Sequence, residues 1–205
     1  MIRASWRPPV FVLVACGTTA LALLLLRAAE PAAPGEGPQF TDDGRLLRPA
    51  NYREWIFLSS GLGMSYSATE SRDSSPEFDN VFVTPPAYKF FMKNGTWPDK
   101  TMFILEVRSS ESKASINKGG RFQTSVAAIE AEVKDEKRFA TKWAFFGFGQ
   151  GASTGRQIPA SAACYSCHAT KGAVDNTFVQ FYPTLLEAAR SKGTLNADAM
   201  KAESR

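Results

Sequence analysis

The amino-acid sequence predicts an α+β fold that consists mainly of an antiparallel β-sheet with a few helices. About five segments are rich in aromatic and β-branched residues, as strands usually are, and short turns between most of them favour antiparallel pairing. Other segments have helical spacing with Pro or Gly at their ends. The 205 residues carry a net charge of +4 and 44% hydrophobic residues, which suits one globular domain with a core. No run of Lys or Arg is present, so the composition does not support nucleic-acid binding.

The predicted strands follow one another through the middle of the chain. Residues 61–79 and 150–159 are rich in Gly, Ser, Asp, Pro and other polar residues and are predicted to be loops, with a hairpin tip at 117–120. The strands themselves are predicted at 51–59, 80–83, 101–108, 121–133 and 143–148. In the fourth of these, a bend is expected near Ala127 and Ala128.

Three helices are predicted around and after these strands. The first, at residues 85–93, begins with Pro and stops at Asn94-Gly95, and residues 97–100 after it form a turn. The other two are predicted at 161–169 and 182–191. Residues 193–205 are a polar tail that we expect to fray.

The N-terminal residues have the features of an export signal. Arg3 and Arg7 precede an apolar run at residues 10–26, and a Pro/Ala/Gly linker follows at 28–40. Residues 1–27 are therefore predicted to be either a cleaved signal peptide or an uncleaved membrane anchor. A lipoprotein site at Cys16 is a further alternative, but cleavage there would leave an apolar mature start. Each interpretation places a folded domain at 41–192 in the periplasm or elsewhere outside the cytoplasm.

A motif for covalent haem attachment lies near the C-terminus. Two of the three cysteines and the only histidine stand together as Cys164-Tyr165-Ser166-Cys167-His168. On a helix, the two thiols lie on one face and can each form a thioether with the porphyrin, while the imidazole ligates iron. A disulfide would leave His168 unexplained, and a zinc site would lack ligands. The sequence predicts one haem c, carried on a C-terminal helix, with His168 as the metal ligand.

The second axial position of the iron decides what such a haem can do. A second His is absent from the sequence, so two-histidine ligation is impossible. Met64 lies in a Gly-rich loop and is the candidate ligand for an electron-transfer cytochrome, whereas Met92 and Met102 are expected to fill the core. We favour an open distal site that binds small molecules.

Several blocks in order resemble the cytochrome P-460 family, which includes the relatives called cytochrome c′-beta that lack a porphyrin-linking Lys. The resemblance spans about residues 39–190 and implies an antiparallel β-fold with a haem near the C-terminus. The matching blocks are the C-x-x-C-H motif with Asp175 and residues 178–183, then residues 51–55, 97–99, Glu130 with 133–135, 138–139 and 143–146.

The resemblance also implies two pocket residues. The best-known members, which oxidise hydroxylamine, carry a Lys joined to the porphyrin edge, and Leu105 stands at that position here. Strand alternation places Phe103, Leu105 and Val107 on one face, so the haem is expected to meet an apolar wall and no Lys bond. Glu130 matches the family's acid above the haem, which moves protons. The alternative is that Glu130 is a solvated strand residue, like Glu132.

Three functions remain open at this point. Leu105 and the Phe-rich composition favour a binder of NO, for scavenging or sensing, as in the unlinked relatives. Glu130 favours the family's better-known activity, oxidation of hydroxylamine with electrons passed to an external redox partner. A His168/Met64 electron carrier is the third. The family also suggests a homodimer, by analogy alone.

Overall fold

The computed structural model of the protein describes residues 37–64 and 75–203, the side chains of residues 202 and 203 excepted. The predicted leader at 1–27, nearly all of the linker and part of the loop predicted at 61–79 lie outside these residues. In the described part, no helix has both the length and the apolar character needed to cross a membrane.

A seven-stranded sheet dominates the described residues, and every neighbouring pair of strands in it is antiparallel. Its strand order is β1-β7-β6-β5-β4-β3-β2, so that six consecutive strands form a meander and β1 joins the far edge. The strands are β1 Leu46–Leu47, β2 Ile56–Leu62, β3 Phe78–Val83, β4 Met102–Glu111, β5 Phe122–Lys134, β6 Trp143–Phe148 and β7 Thr154–Gln157.

Four α-helices accompany the sheet in the described residues. The predicted first helix is confirmed, since α1 spans Pro85–Asn94 and ends at Gly95 with φ of 75°. Its apolar residues Ala87 and Phe91 are buried against the sheet. The others are α2 Ala163–Lys171, α3 Pro183–Lys192 and α4 Ala197–Glu203, with 3₁₀ turns at Tyr52–Glu54 and Val179–Phe181.

The α+β prediction is confirmed, with corrections in the polar segments. The first predicted strand starts too early, because Tyr52–Glu54 form a 3₁₀ turn before β2. The loop predicted at 150–159 contains β7, which pairs with β6 through Phe146–Phe148. The tail predicted to fray contains α4, where Ala199 is 1% exposed. In each case pairing or packing with distant residues overrides weak local preference.

The bend predicted near Ala127 and Ala128 is present as a bulge. Val107 pairs with Ala128 and the next residue, Arg108, pairs with Val126, so Ala127 is the extra residue. Such an insertion bends the strand and increases its twist. It lies at the end of the sheet where the candidate site is found.

Different parts of the chain pack on the two faces of the sheet. Residues paired across antiparallel strands point to the same side, and we call the side that carries Phe103, Leu105 and Val107 the site face. The back face holds Ile104, Ala131 and Phe146 in a core that residues before β2, such as Tyr52, help to close.

Candidate functional site

Helix α2 carries all three residues of the C-x-x-C-H motif. It begins after Ala162, which has extended backbone, and ends at Gly172. The thiols of Cys164 and Cys167 are half-buried and form no disulfide with each other. Their spacing of three residues puts both on one side of the helix, beside the sheet.

Aromatic rings fix the plane of His168. Its imidazole centroid lies 4.5 Å from the ring of Phe145 on β6 and 4.3 Å from that of Phe178. Its side chain is 18% exposed. Because both ring contacts are close, rotation of the imidazole would displace packed aromatic side chains.

A backbone carbonyl selects the tautomer of this ring, that is, which of its two nitrogens carries the proton. The Nδ1–H of His168 donates to the carbonyl oxygen of Asn176 at 2.9 Å. In the described residues no group bonds Nε2. The geometry therefore assigns the proton to Nδ1 and leaves Nε2 as the atom that can ligate a metal, the usual pattern for a metal-binding histidine.

Glu132 is a site residue that the sequence analysis missed. Its Oε1 lies 3.3 Å from Nδ1 of His168, a contact too poorly aligned to count as a hydrogen bond, and this buried atom has no other partner among the described residues. Burial raises the pKa of Glu132, and His168 offsets part of that rise. For His168 burial lowers the pKa, but the Glu132 carboxylate outweighs it and the net direction is upward. The two-residue spacing from Glu130 was the available signal, since both must share a face.

Among the described residues, helices pack on one end of the site face. Phe103 and Trp143 are buried there in a core with α1 and α3. Val81 on β3 is half-buried at the edge of this core, and Leu105 and Val107 on β4 are half-buried farther along. Phe103, Leu105 and Val107 share one face, as predicted, and Val81 pairs directly with Leu105 on that face. The result is an apolar strip that extends from the core along β3 and β4.

Glu130 lies on the same half of the site face, directly paired with Leu105. Its side chain is exposed to solvent, yet enough protein surrounds the carboxyl that desolvation raises its pKa, with His168 opposing. It also lies near enough to Cys164 for their charges to interact. Asp79 on β3 is a second carboxyl of this half face, with a pKa raised by desolvation and by Glu77 and Glu130.

The methionines differ from expectation in one case. Met102 is 1% exposed in the back-face core, as predicted, whereas Met92 is 37% exposed on α1 and is not a core residue. Met64 is 51% exposed just beyond β2. Its Sδ lies over Gly61, which pairs with Asp79 on the site face. Met64 as an iron ligand stays a prediction.

The residues present fit a haem. Nε2 of His168 is unbonded, two thiols lie on the same helix, and a half-buried apolar strip lies on the same face of the sheet. Gly147, which pairs with Glu130 on one side and Arg156 on the other, would meet no atom within 4 Å if it had a Cβ. The sheet surface is thus smooth enough there for a flat ring to lie against it.

An antiparallel sheet with a C-x-x-C-H helix on one face defines a cytochrome built on β-structure rather than on a helical bundle. The family model for cytochrome P460 matches residues 49–179, which is more than half of the chain. The protein belongs to the cytochrome P460 family, and the predicted resemblance is confirmed. Membership implies a haem cofactor. A comparison with curated proteins finds no match.

Proposed function

We propose that the protein is a c-type cytochrome with one covalent haem and an open distal site that binds NO. The observation that carries the proposal is the apolar strip of Val81, Leu105 and Val107 on the same sheet face as the C-x-x-C-H helix. When bound, haem would supply an iron atom that can take a diatomic molecule as its ligand.

Each site residue then has a distinct task. Cys164 and Cys167 would hold the porphyrin through thioether bonds, and Nε2 of His168 would ligate the iron. The carbonyl of Asn176 keeps the proton on Nδ1 at 2.9 Å, so the ligating nitrogen stays free. Phe145 and Phe178 keep the ring in one plane.

The apolar strip favours uncharged ligands. Leu105, on that strip, cannot hydrogen-bond to water or an anion, so a polar molecule that lies against its side chain would lose hydration there. NO is small and uncharged and incurs little of this cost. Leu105 also cannot form the Lys bond to the porphyrin that hydroxylamine-oxidising members carry.

A second candidate function is oxidation of hydroxylamine, and two carboxyls favour it. Glu130 and Asp79 share the half face that carries the apolar strip, and their pKa values are both raised. A carboxyl with a raised pKa holds a proton more readily than an ordinary carboxyl and is a candidate for proton transfer. The released electrons would need an external redox partner. For either function we propose an extracytoplasmic location, because the basic start and apolar run at residues 1–26 have the pattern of an export signal.

The first prediction concerns the haem itself. Protein exported with the haem-attachment machinery should be coloured, and mass spectrometry of its proteolytic fragments should find haem on the peptide that holds Cys164 and Cys167. No Lys should be bonded to the porphyrin, because Leu105 stands at the linking position. A colourless mature protein would overturn the proposal, and a third protein–porphyrin bond would overturn the role given to Leu105.

The second prediction separates NO binding from hydroxylamine oxidation. Mixed with hydroxylamine and an electron acceptor, the ferric protein should show no turnover, while the ferrous protein should bind NO tightly by optical titration. Glu130→Gln should leave NO affinity within about threefold of wild type, since neutral NO needs no carboxylate. Glu111→Gln on the exposed end of β4 is the matched control.

Turnover of hydroxylamine that drops by about 100-fold in Glu130→Gln and persists in Glu111→Gln would instead establish the enzyme, with Glu130 as its proton carrier.

A further inference from the structure

Lys134, the last residue of β5, is a buried cation on the site face. Its side chain is 7% exposed, and Nζ donates to the carbonyl oxygen of Trp97 at 2.8 Å and to Oδ2 of Asp175 at 2.6 Å. Glu136 is farther away, at 3.5 Å. A buried ammonium group is costly unless it is paired, so Asp175 is the principal compensation for Lys134.

Asp175 belongs to a tight turn directly after α2. Asp175 and Asn176 have φ of 51° and 64°, a left-handed backbone that Asp and Asn tolerate better than most other residues. Val174 and Thr177 on either side exchange backbone hydrogen bonds of 3.3 and 2.8 Å. Two left-handed residues between a bonded pair form a compact two-residue turn, which fixes the direction of its carbonyl groups.

The same network holds the other end of the turn. The indole Nε1–H of Trp97 donates to Oγ1 of Thr177 at 2.8 Å, and that hydroxyl donates to the carbonyl of Val174 at 2.7 Å. Lys134 therefore connects to the turn twice, directly through Asp175 and indirectly through Trp97. A Cβ at Gly172 would come within 2.6 Å of the Asn176 carbonyl carbon, so the turn also fits closely against the end of α2.

The turn contributes one group to the site, the backbone carbonyl of Asn176. The carbonyl oxygen of Asn176, one residue after the aspartate that pairs with Lys134, accepts a hydrogen bond of 2.9 Å from the Nδ1–H of His168. A histidine that donates a firm hydrogen bond from one nitrogen is a stronger metal ligand through the other. The position of this carbonyl thus controls the electron density at Nε2.

We propose that Lys134 and Asp175 are positioning residues that strengthen His168 as the iron ligand by holding the Asn176 carbonyl against Nδ1. The inference rests on the proposed ligation of haem by His168. Nothing in it requires either charged side chain to touch the haem.

The test uses the purified full-length haem protein and two variants. Lys134→Met removes the cation and leaves Asp175, whose side chain is 30% exposed and can be solvated. Asp175→Asn removes the charge and keeps a residue type that tolerates left-handed backbone. Lys100→Met is the control, because Lys100, whose side chain is 48% exposed, forms its 2.5 Å ion pair with Asp135 and not with the turn.

Both variants should retain haem and show an iron–histidine stretching band at lower frequency than wild type in the ferrous Raman spectrum. Their reduction potential should rise, because a weaker donor stabilises ferric iron less. A tenfold loss of that stabilisation, the low end for outer-shell partners, corresponds to about 59 mV for one electron. Lys100→Met should match wild type in both measurements.

The outcomes separate this inference from the proposed function. A wild-type protein without an iron–histidine band would overturn the ligation by His168. If wild type shows the band and its frequency is the same in both variants, the role of Lys134 and Asp175 is overturned while ligation by His168 stands. A shift of the band to higher frequency would also overturn that role. It would mean that Glu132 accepts the Nδ1–H hydrogen bond in place of the carbonyl and strengthens the ligand.

Discussion

His168→Gly is expected to abolish the ferrous spectrum of five-coordinate haem and, with it, tight NO binding. The sequence contains no second histidine to take over the iron. Outer-shell partners alone change metal affinity or activity by about 10–100-fold, so loss of the ligand itself should cost more than about 100-fold. Optical titration with NO of the variant and wild type measures the effect.

Added imidazole provides the control for this variant. The cavity left between Phe145 and Phe178 is lined by rings that lie 4.3–4.5 Å from the native imidazole, so free imidazole should fit there and restore the spectrum. Ser166→Ala, on the exposed side of the same helix, should behave as wild type. A normal ferrous spectrum in His168→Gly without imidazole would show that His168 is not the iron ligand.

Glu106→Ala is expected to cause the largest loss of stability. Glu106 on the back face is 2% exposed and accepts hydrogen bonds from Tyr52, from Arg53 Nε at 2.8 Å and from Arg108 Nε at 2.5 Å. Removing the carboxylate leaves the two guanidinium groups facing each other without their shared anion. Because Arg53 and Arg108 are 51% and 25% exposed and can be solvated, the loss should lie at the low end for a broken buried pair, about 3 kcal/mol, which urea unfolding followed by tryptophan fluorescence would measure.

The acid dependence of stability gives a second check on Glu106. Burial alone would raise the pKa of Glu106, but the hydrogen bonds from Arg108, Tyr52 and Arg53 outweigh it and lower the pKa below its ordinary value of 4.5. A lowered carboxyl pKa stabilises the fold at pH values above 4.5 and loses that effect as the pH falls through the lowered value. The difference between wild type and Glu106→Ala should therefore narrow on acidification.

Two further variants give comparisons for the stability loss of Glu106→Ala. Tyr52→Phe removes one hydrogen bond and leaves both arginines paired, so its loss should be smaller, about 1–3 kcal/mol. Glu111→Gln, on the exposed end of the same strand, should be neutral. Equal stabilities of Glu106→Ala and Glu111→Gln at pH 7 would contradict the role assigned to this network.

The predicted strands show where local sequence suffices. Residues 143–148 (WAFFGF) form β6 as predicted, because a short run of large apolar residues between polar segments has few other conformations that bury it. β7 (TGRQ) was missed because its residues have no strand preference of their own. It exists because Gly155 and Gln157 pair with Phe148 and Phe146.

Site residues divide in the same way. Cys164, Cys167 and His168 were found by their spacing on one helix, and the shared face of Leu105 and Val107 followed from strand alternation. Strand alternation alone predicts a solvated Glu132, whereas the structure places its Oε1 3.3 Å from Nδ1 of His168. Its position depends on α2 crossing over the sheet, which no pattern within β5 reveals.

The α+β class, the attachment motif and the apolar character of residue 105 follow from local sequence, since each depends on residues close together in the chain. The surroundings of His168 depend on packing between distant segments. Asn176, Glu132 and the Lys134–Asp175 pair come from separate segments, and their contacts form only when the sheet, α2 and the turn after it pack together. Residues far apart in sequence carry no local preference for one another, so that arrangement had to be observed.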